Sequence, residues 1–134
     1  MATVLHNRAK AESARGNFDW PGGACRAMLC EKGYVPDPDI DFVDSGGAGD
    51  PARHEISTKN YIGGAGGSGR KALMDKAVRQ NNEADRAELT AADLSWTALG
   101  PPAGGPVVAV VVVFQEGASD ADSLIIGSLD ITSQ

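Results

Sequence analysis

Val107, Val108, Ala109, Val110, Val111, Val112, Val113 and Phe114 form one unbroken apolar run, and a second, Leu124, Ile125, Ile126, Gly127, Ser128, Leu129, Asp130 and Ile131, follows after an acidic connection. The first run is far short of the roughly 20 apolar residues that a membrane-spanning helix needs. Its β-branched valines favour a strand buried on both faces over a buried helix. The polar connection, residues 115–123, has the length and composition of a hairpin loop, so the two runs are expected to pair antiparallel at the centre of a small β-rich domain. On one face of the first strand the alternation sets Val108, Val110, Val112 and Phe114, and on the other Val107, Ala109, Val111 and Val113. Most of the apolar content is thereby committed to scaffold.

At 134 residues the chain has the size of one domain, 1–134, large enough to bury a core without disulfides or metals. Its formal net charge of −6 disfavours nucleic-acid binding, which depends on clustered Lys and Arg, and the basic residues here are dispersed. Aromatic residues make up only 5% while glycines number 17, which predicts a loop-rich fold. The N-terminal residues are interrupted by His6, Arg8, Lys10 and Glu12. No signal peptide or membrane anchor is expected there, and the expected setting is cytoplasm-like. Cys25 and Cys30 are the only cysteines, and five residues apart on a strand they point to opposite faces as small buried hydrophobes.

Residues 7–15 are good helix formers, with Asn7 placed to cap the start and Gly16 to end it. A strand with one buried face is expected over 24–29. Pro36 and Pro38 then forbid helix. Residues 45–51 read as a flexible inserted loop, 54–57 as a resumed strand, and 61–69 as a second glycine-rich flexible loop. Over 71–89 the signals conflict, since Ala72, Leu73, Met74 and Ala77 favour helix while Asn81 and Asn82 mark a turn; we read two strands around that turn. Leu94, Ser95, Trp96 and Thr97 alternate as a half-buried strand does. Pro101, Pro102 and Pro106 stiffen the approach to the valine run. The fold class is mainly β (α+β), a small antiparallel sandwich or barrel-like domain with a short N-terminal helix and long Gly/Pro-rich loops.

Several chemical motifs are approached and missed. Gly64, Gly66, Gly67 and Gly69 have the spacing of a phosphate loop, but Arg70 stands where its lysine belongs and Ala72 where its magnesium-binding hydroxyl belongs. Asp37, Asp39 and Asp41 match the first ligands of a calcium loop, yet Phe42 and Ala48 replace the required glycine and bidentate glutamate. His6 and His54 are too few and too far from the cysteines for a structural zinc site. Cys30 with His54 is a formal nucleophile pair of a kind that any such chain offers. No complete catalytic, metal-binding or cofactor-binding constellation emerges.

The ordered set of segments resembles a family of small tailed-bacteriophage virion proteins described as head-fibre or capsid-decoration (cement) proteins. The family's short helix and strand are followed by a Tyr-x-Pro-Asp turn with a downstream Asp-Phe, matched by Tyr34, Pro36, Asp37, Asp41 and Phe42. A Glu-x-Ser segment is matched by Glu55 and Ser57, and a tyrosine-glycine loop by Tyr61, Gly63 and Gly64, with Asn60 replacing the glycine before the tyrosine. Ala91, Ala92, Asp93, Leu94 and Trp96 echo an Ala-Asp-Asp-Val-x-Trp segment, and residues 107–131 echo the closing pair of strands. The insertion over 45–51 and the valine strand, where the family usually carries Arg and Tyr, depart from the pattern.

The resemblance implies a virion structural protein, not an enzyme, with no cofactor and no metal. It would be made in the host cytoplasm and sit on the capsid surface. Its partner would be the major capsid protein, with self-association into a homo-oligomer as a further implied contact, and with neither nucleic acid nor membrane. A tail- or neck-associated position in the virion fits the same resemblance. Exposed aromatics are the usual interface anchors, which makes Trp20, Tyr34, Phe42 and Tyr61 the candidate interface residues, with burial in the core as the competing reading.

Overall fold

The computed structural model of the chain describes residues 3–99 and 108–131. A five-stranded antiparallel sheet, ordered β1-β7-β6-β2-β3, carries the core, and a separate β4-β5 hairpin stands beside it. The strands are β1 (Thr3–Leu5), β2 (Cys25–Glu31), β3 (Lys71–Ala72), β4 (Ala77–Asn81), β5 (Arg86–Thr90), β6 (Val108–Gln115) and β7 (Leu124–Asp130). One α-helix, α1, spans Asn7–Arg15. The chain is mainly β, as its sequence predicts.

The valine run is β6, the middle strand of the sheet, paired with β2 on one side and β7 on the other. Val107 lies outside the described residues, as does the proline-rich loop before it. Val112 is fully buried and Phe114 nearly so, as expected of a strand covered on both faces. The alternation breaks at one point, however. Cys30 pairs with Val110 while Glu31 pairs with Val108, so Ala109 is an extra residue, a β-bulge. Ala109 therefore joins Val110, Val112 and Phe114 in one core cluster, and Val108 packs with Val111 on the opposite side. A second irregularity sets Val113 opposite Gly127 and Phe114 opposite Ile125, which leaves Ile126 over. Ile125 and Ile126 thus feed different clusters.

Each face of the sheet is covered by extended chain. Tyr34, Val43, Ile40 and Ala52 close one face over Met28, Cys30 and Val112. Trp20, Leu73, Leu94 and Trp96 close the other over Cys25, Ala27 and Ile126. Cys25 and Cys30 are free, buried, and in separate clusters, as their spacing predicts. β2 is buried on both faces, not on one, because both layers reach it.

Three local expectations are corrected. The N-cap of α1 is His6, whose side chain makes no capping bond; Asn7, one position inside, instead donates through Nδ2 to Asp39 Oδ1 at 2.7 Å. Gly16 ends the helix at φ 79°, as expected. Residues 54–57 form no strand: a single bridge joins Glu55 to Cys30 before the chain turns away. Residues 94–97 keep their alternating exposure but have no strand partner among the described residues and lie against the sheet face, where Leu94 and Trp96 contribute to the core. Over 71–89 the turn wins, since β4 and β5 form an antiparallel hairpin from Ala77↔Thr90 to Asn81↔Arg86.

Candidate interaction surface

The glycine-rich loop that mimics a phosphate site is built around a buried charge network. Arg70 follows the last glycine, and its side chain is only 4% exposed. Its Nε and Nη2 donate to the two carboxylate oxygens of Glu55 at 2.9 and 2.7 Å. Its Nη1 and Nη2 donate to Asp120 at 2.6 and 3.0 Å. Glu55 accepts two further bonds, from the Tyr61 hydroxyl at 2.9 Å and from the Gly64 amide at 2.9 Å. Burial works against the charge on Arg70, but the bonds to Glu55 and Asp120 outweigh it and hold the guanidinium above its ordinary value. Arg70 also sits 5.4 Å over the Phe114 ring.

This network corrects the reading of 61–69 as a flexible loop. Close packing requires two of its glycines: a Cβ on Gly67 would lie 2.2 Å from the Ile62 carbonyl oxygen, and one on Gly69 would lie 2.5 Å from the Tyr61 ring. Tyr61 is fully buried, accepts from the Leu29 amide at 3.0 Å, and ties the loop to β2. A polar cavity of about 320 Å³ borders the loop, but its arginines are engaged, Arg70 as above and Arg26 with Glu116. Lys71 reaches the Ser95 carbonyl and lies over the Trp96 ring. Neither cation of the mimic faces an open anion site.

The other chemistry-bearing residues are likewise occupied locally. Asp37 accepts from the Asp39 amide at 2.9 Å, Asp39 accepts from Asn7, and Asp41 pairs with Arg8 at 3.5 Å. Cys30 is fully buried, its thiol is pushed up by burial, and it donates to the Pro51 carbonyl at 3.6 Å. His54 bonds the Ala48 carbonyl at 3.1 Å through Nε2. The structure does not join Cys30 and His54 by a hydrogen bond.

Of the four aromatic candidates, Trp20, Tyr34 and Tyr61 are core residues, 6%, 3% and 0% exposed. Trp20 packs over the sheet while its Nε1 donates to the Thr90 carbonyl at 3.0 Å, and burial pushes the Tyr34 hydroxyl up to about 12. Each of these rings is large enough to span a gap between loop and sheet, which is why the fold consumes them. Only Phe42 remains half-exposed, with Arg8 lying 5.6 Å over its ring. They are therefore not a set of exposed anchors.

Exposed apolar side chains occur elsewhere, singly at Val35, Ile62 and Met74 and as an opposed pair on the β4-β5 hairpin. Register sorts its side chains by face. Arg79, Asn81, Arg86 and Glu88 share one face, where Glu88 accepts from Asn81, Arg79 and Arg86 and its carboxyl is held down at about 2 by those bonds. Val78, Gln80, Ala87 and Leu89 share the other. Val78 and Leu89 are directly opposed and remain 53% and 40% exposed. Leu89 also lines a groove of about 130 Å³ with Leu5, Ala9, Phe18 and Ile126, so the apolar face continues toward β1 and α1. The hairpin is legible in the sequence but its surface is not; the one signal is Val78 and Leu89 at mirrored positions about the turn.

Comparison with known protein families, with curated proteins and with solved structures finds no match.

Proposed function

We propose that this chain is a non-enzymatic bacteriophage virion protein, a decoration or cement protein that binds the outer surface of the shell formed by the major capsid protein and stabilises the head. The observation that carries the proposal is the amphipathic β4-β5 hairpin, whose Val78 and Leu89 are directly opposed and left to solvent. Two-stranded hairpins are marginal unless their apolar face is covered, so a surface of this kind suits a partner. The ordered resemblance to head-fibre and capsid-decoration proteins supplies the identity of that partner. The engagement of Arg70, Glu55, Asp120 and Cys30 in internal bonds agrees with a role that depends on contact area more than on chemistry. A stable contact of this kind buries on the order of 1,000 Å² or more, so the hairpin would work together with the adjoining groove.

The test uses purified particles prepared with and without the protein. It should be found on the outer surface of the head, and its presence should raise the temperature at which particles release DNA, because a ligand of the assembled state stabilises that state. A Val78→Asp, Leu89→Asp double variant should keep its fold and bind the particles at least tenfold less tightly. Absence from the virion, or presence only at the tail or neck with no effect on the head, would overturn the proposal.

A further inference from the structure

His6 is fully buried at the junction between β1 and α1, and it ties the N-terminal arm to the body of the protein. Its backbone amide donates to the Ile126 carbonyl at 3.1 Å. Its Nδ1 lies 2.8 Å from the Ile40 carbonyl oxygen, and its Nε2 lies 3.2 Å from Ser128 Oγ. A carbonyl can only accept, so Nδ1 carries the proton and Nε2 is the acceptor for the Ser128 hydroxyl. One neutral imidazole therefore satisfies both bonds, and three separate segments meet on it. The Tyr34 hydroxyl, buried beside Ser128, makes no hydrogen bond of good geometry.

Apart from His6 the arm is held by edge pairing and exposed polar contacts, among them Asn7 Nδ2 to Asp39, Arg8 to Asp41 and Arg8 over the Phe42 ring. β1 pairs only with β7, through Thr3↔Leu129, Val4↔Ser128 and Leu5↔Gly127, and Leu5 is 48% exposed. In α1 only Ala9 is buried. Asn7 adds a backbone bond to the Pro38 carbonyl at 2.8 Å. Removing the arm would leave the sheet core of β2, β6 and β7 intact and uncover the outer edge of β7.

We propose that residues 3–15 form an acid-released latch over the edge of β7, closed by neutral His6 and opened when His6 takes a second proton. The charged groups around the ring act in both directions. Burial disfavours the imidazolium most strongly, and Lys10 and the positive end of α1 add to that; the bond to the Ile40 carbonyl opposes it, followed by Asp37 and Asp41, Asp41 being shared with Arg8. The closed arm thus holds His6 below its ordinary value of 6.5. The open arm consequently binds the proton first, closure is fully favoured above pH 6.5, and it weakens as pH falls below that. Linkage through one such group lets the opening constant rise by up to about tenfold per pH unit.

Residue-resolved amide exchange of the whole chain between pH 7.5 and 5, corrected for intrinsic exchange rates, tests the latch. Protection in β1 and α1 should fall approaching tenfold per pH unit below pH 6.5 while β2 and β6 hold theirs. A His6→Asn variant, which offers a donor and an acceptor but cannot titrate, should lose that dependence. Arm protection that ignores pH in the wild type, or that follows pH equally in His6→Asn, would overturn the proposal. Should His6→Asn fail to close at pH 7.5, ring nitrogen shifts of wild-type His6 decide the question. A proton on Nδ1 and a midpoint below 6.5 support the latch, and a midpoint at or above 6.5 sinks it.

Discussion

Arg70→Met should be among the most damaging single substitutions available in this protein. Met roughly matches the volume of the arginine stem but removes every donor, leaving Glu55, 5% exposed, and Asp120, 19% exposed, as neighbouring carboxylates with no counter-charge. Breaking a buried ion pair by removing one partner costs about 3–5 kcal/mol. Glu55 keeps its bonds from Tyr61 and Gly64, and Asp120 is exposed enough to recover some hydration, so the lower part of that range, about 3–4 kcal/mol, applies. An unfolding entropy of about 2.1 cal/mol/K per residue over 134 residues gives about 0.28 kcal/mol/K, so the melting temperature should drop by about 11–14 °C. Asp120→Asn leaves Arg70 paired with Glu55 and should cost less, about 1–2 kcal/mol. Thermal and urea melts followed by circular dichroism measure both. An Arg70→Met protein within 1 kcal/mol of wild type, or one more stable than Asp120→Asn, would refute the reasoning that this network holds the glycine loop in place.

Two further outcomes follow from packing. Val112 has no exposed surface, so Val112→Asp buries an unpaired charge at the centre of the sheet and should cost at least about 4 kcal/mol; gel filtration and circular dichroism should show an unfolded or aggregated chain, and a soluble protein with an unchanged melt would contradict the central position of β6. Gly69→Ala sets a methyl group 2.5 Å from a Tyr61 ring whose hydroxyl is held from two sides, and it should cost about 1–3 kcal/mol in a urea melt, whereas alanine at an unconstrained loop glycine would cost nearly nothing.

The elements that could be read from the sequence are those whose cause is local. Eight consecutive apolar residues with a polar hairpin loop after them determine β6 and β7, and Asn81 with Asn82 determines where the β4-β5 hairpin turns, against the helix propensity of its neighbours. The bulge at Ala109 is not local: it follows from how the end of β2 meets β6, and a strict period of two places Val108 on the wrong face. The same limit applies to Trp96, whose alternating neighbours resemble a strand although the segment has no ladder partner among the described residues and lies on the sheet. At the glycine loop, composition shows a turn-rich stretch, but what makes it rigid is Arg70 meeting Glu55 and Asp120, which are 15 and 50 residues away in sequence. Asp120 sits in an acidic turn with nothing to distinguish it from Asp122. Tyr34 and Tyr61 lie among prolines, aspartates and glycines, a context that looks like surface and conceals two buried rings.

The placement of the two cysteines gives this protein a pair of built-in chemical reporters. Cys25 lies under Trp20 and Leu73, and Cys30 lies under Tyr34 and Val43, on opposite sides of one strand. A thiol reagent reaches either sulfur only when the chain covering that side lifts, so the two labelling rates record the breathing of the two cover layers separately. If the layers open independently, the rates will diverge under mild denaturant. If the sheet and both covers melt as one unit, the rates will converge on the global unfolding rate, and mass spectrometry of partly labelled chains distinguishes the two regimes without any engineered label.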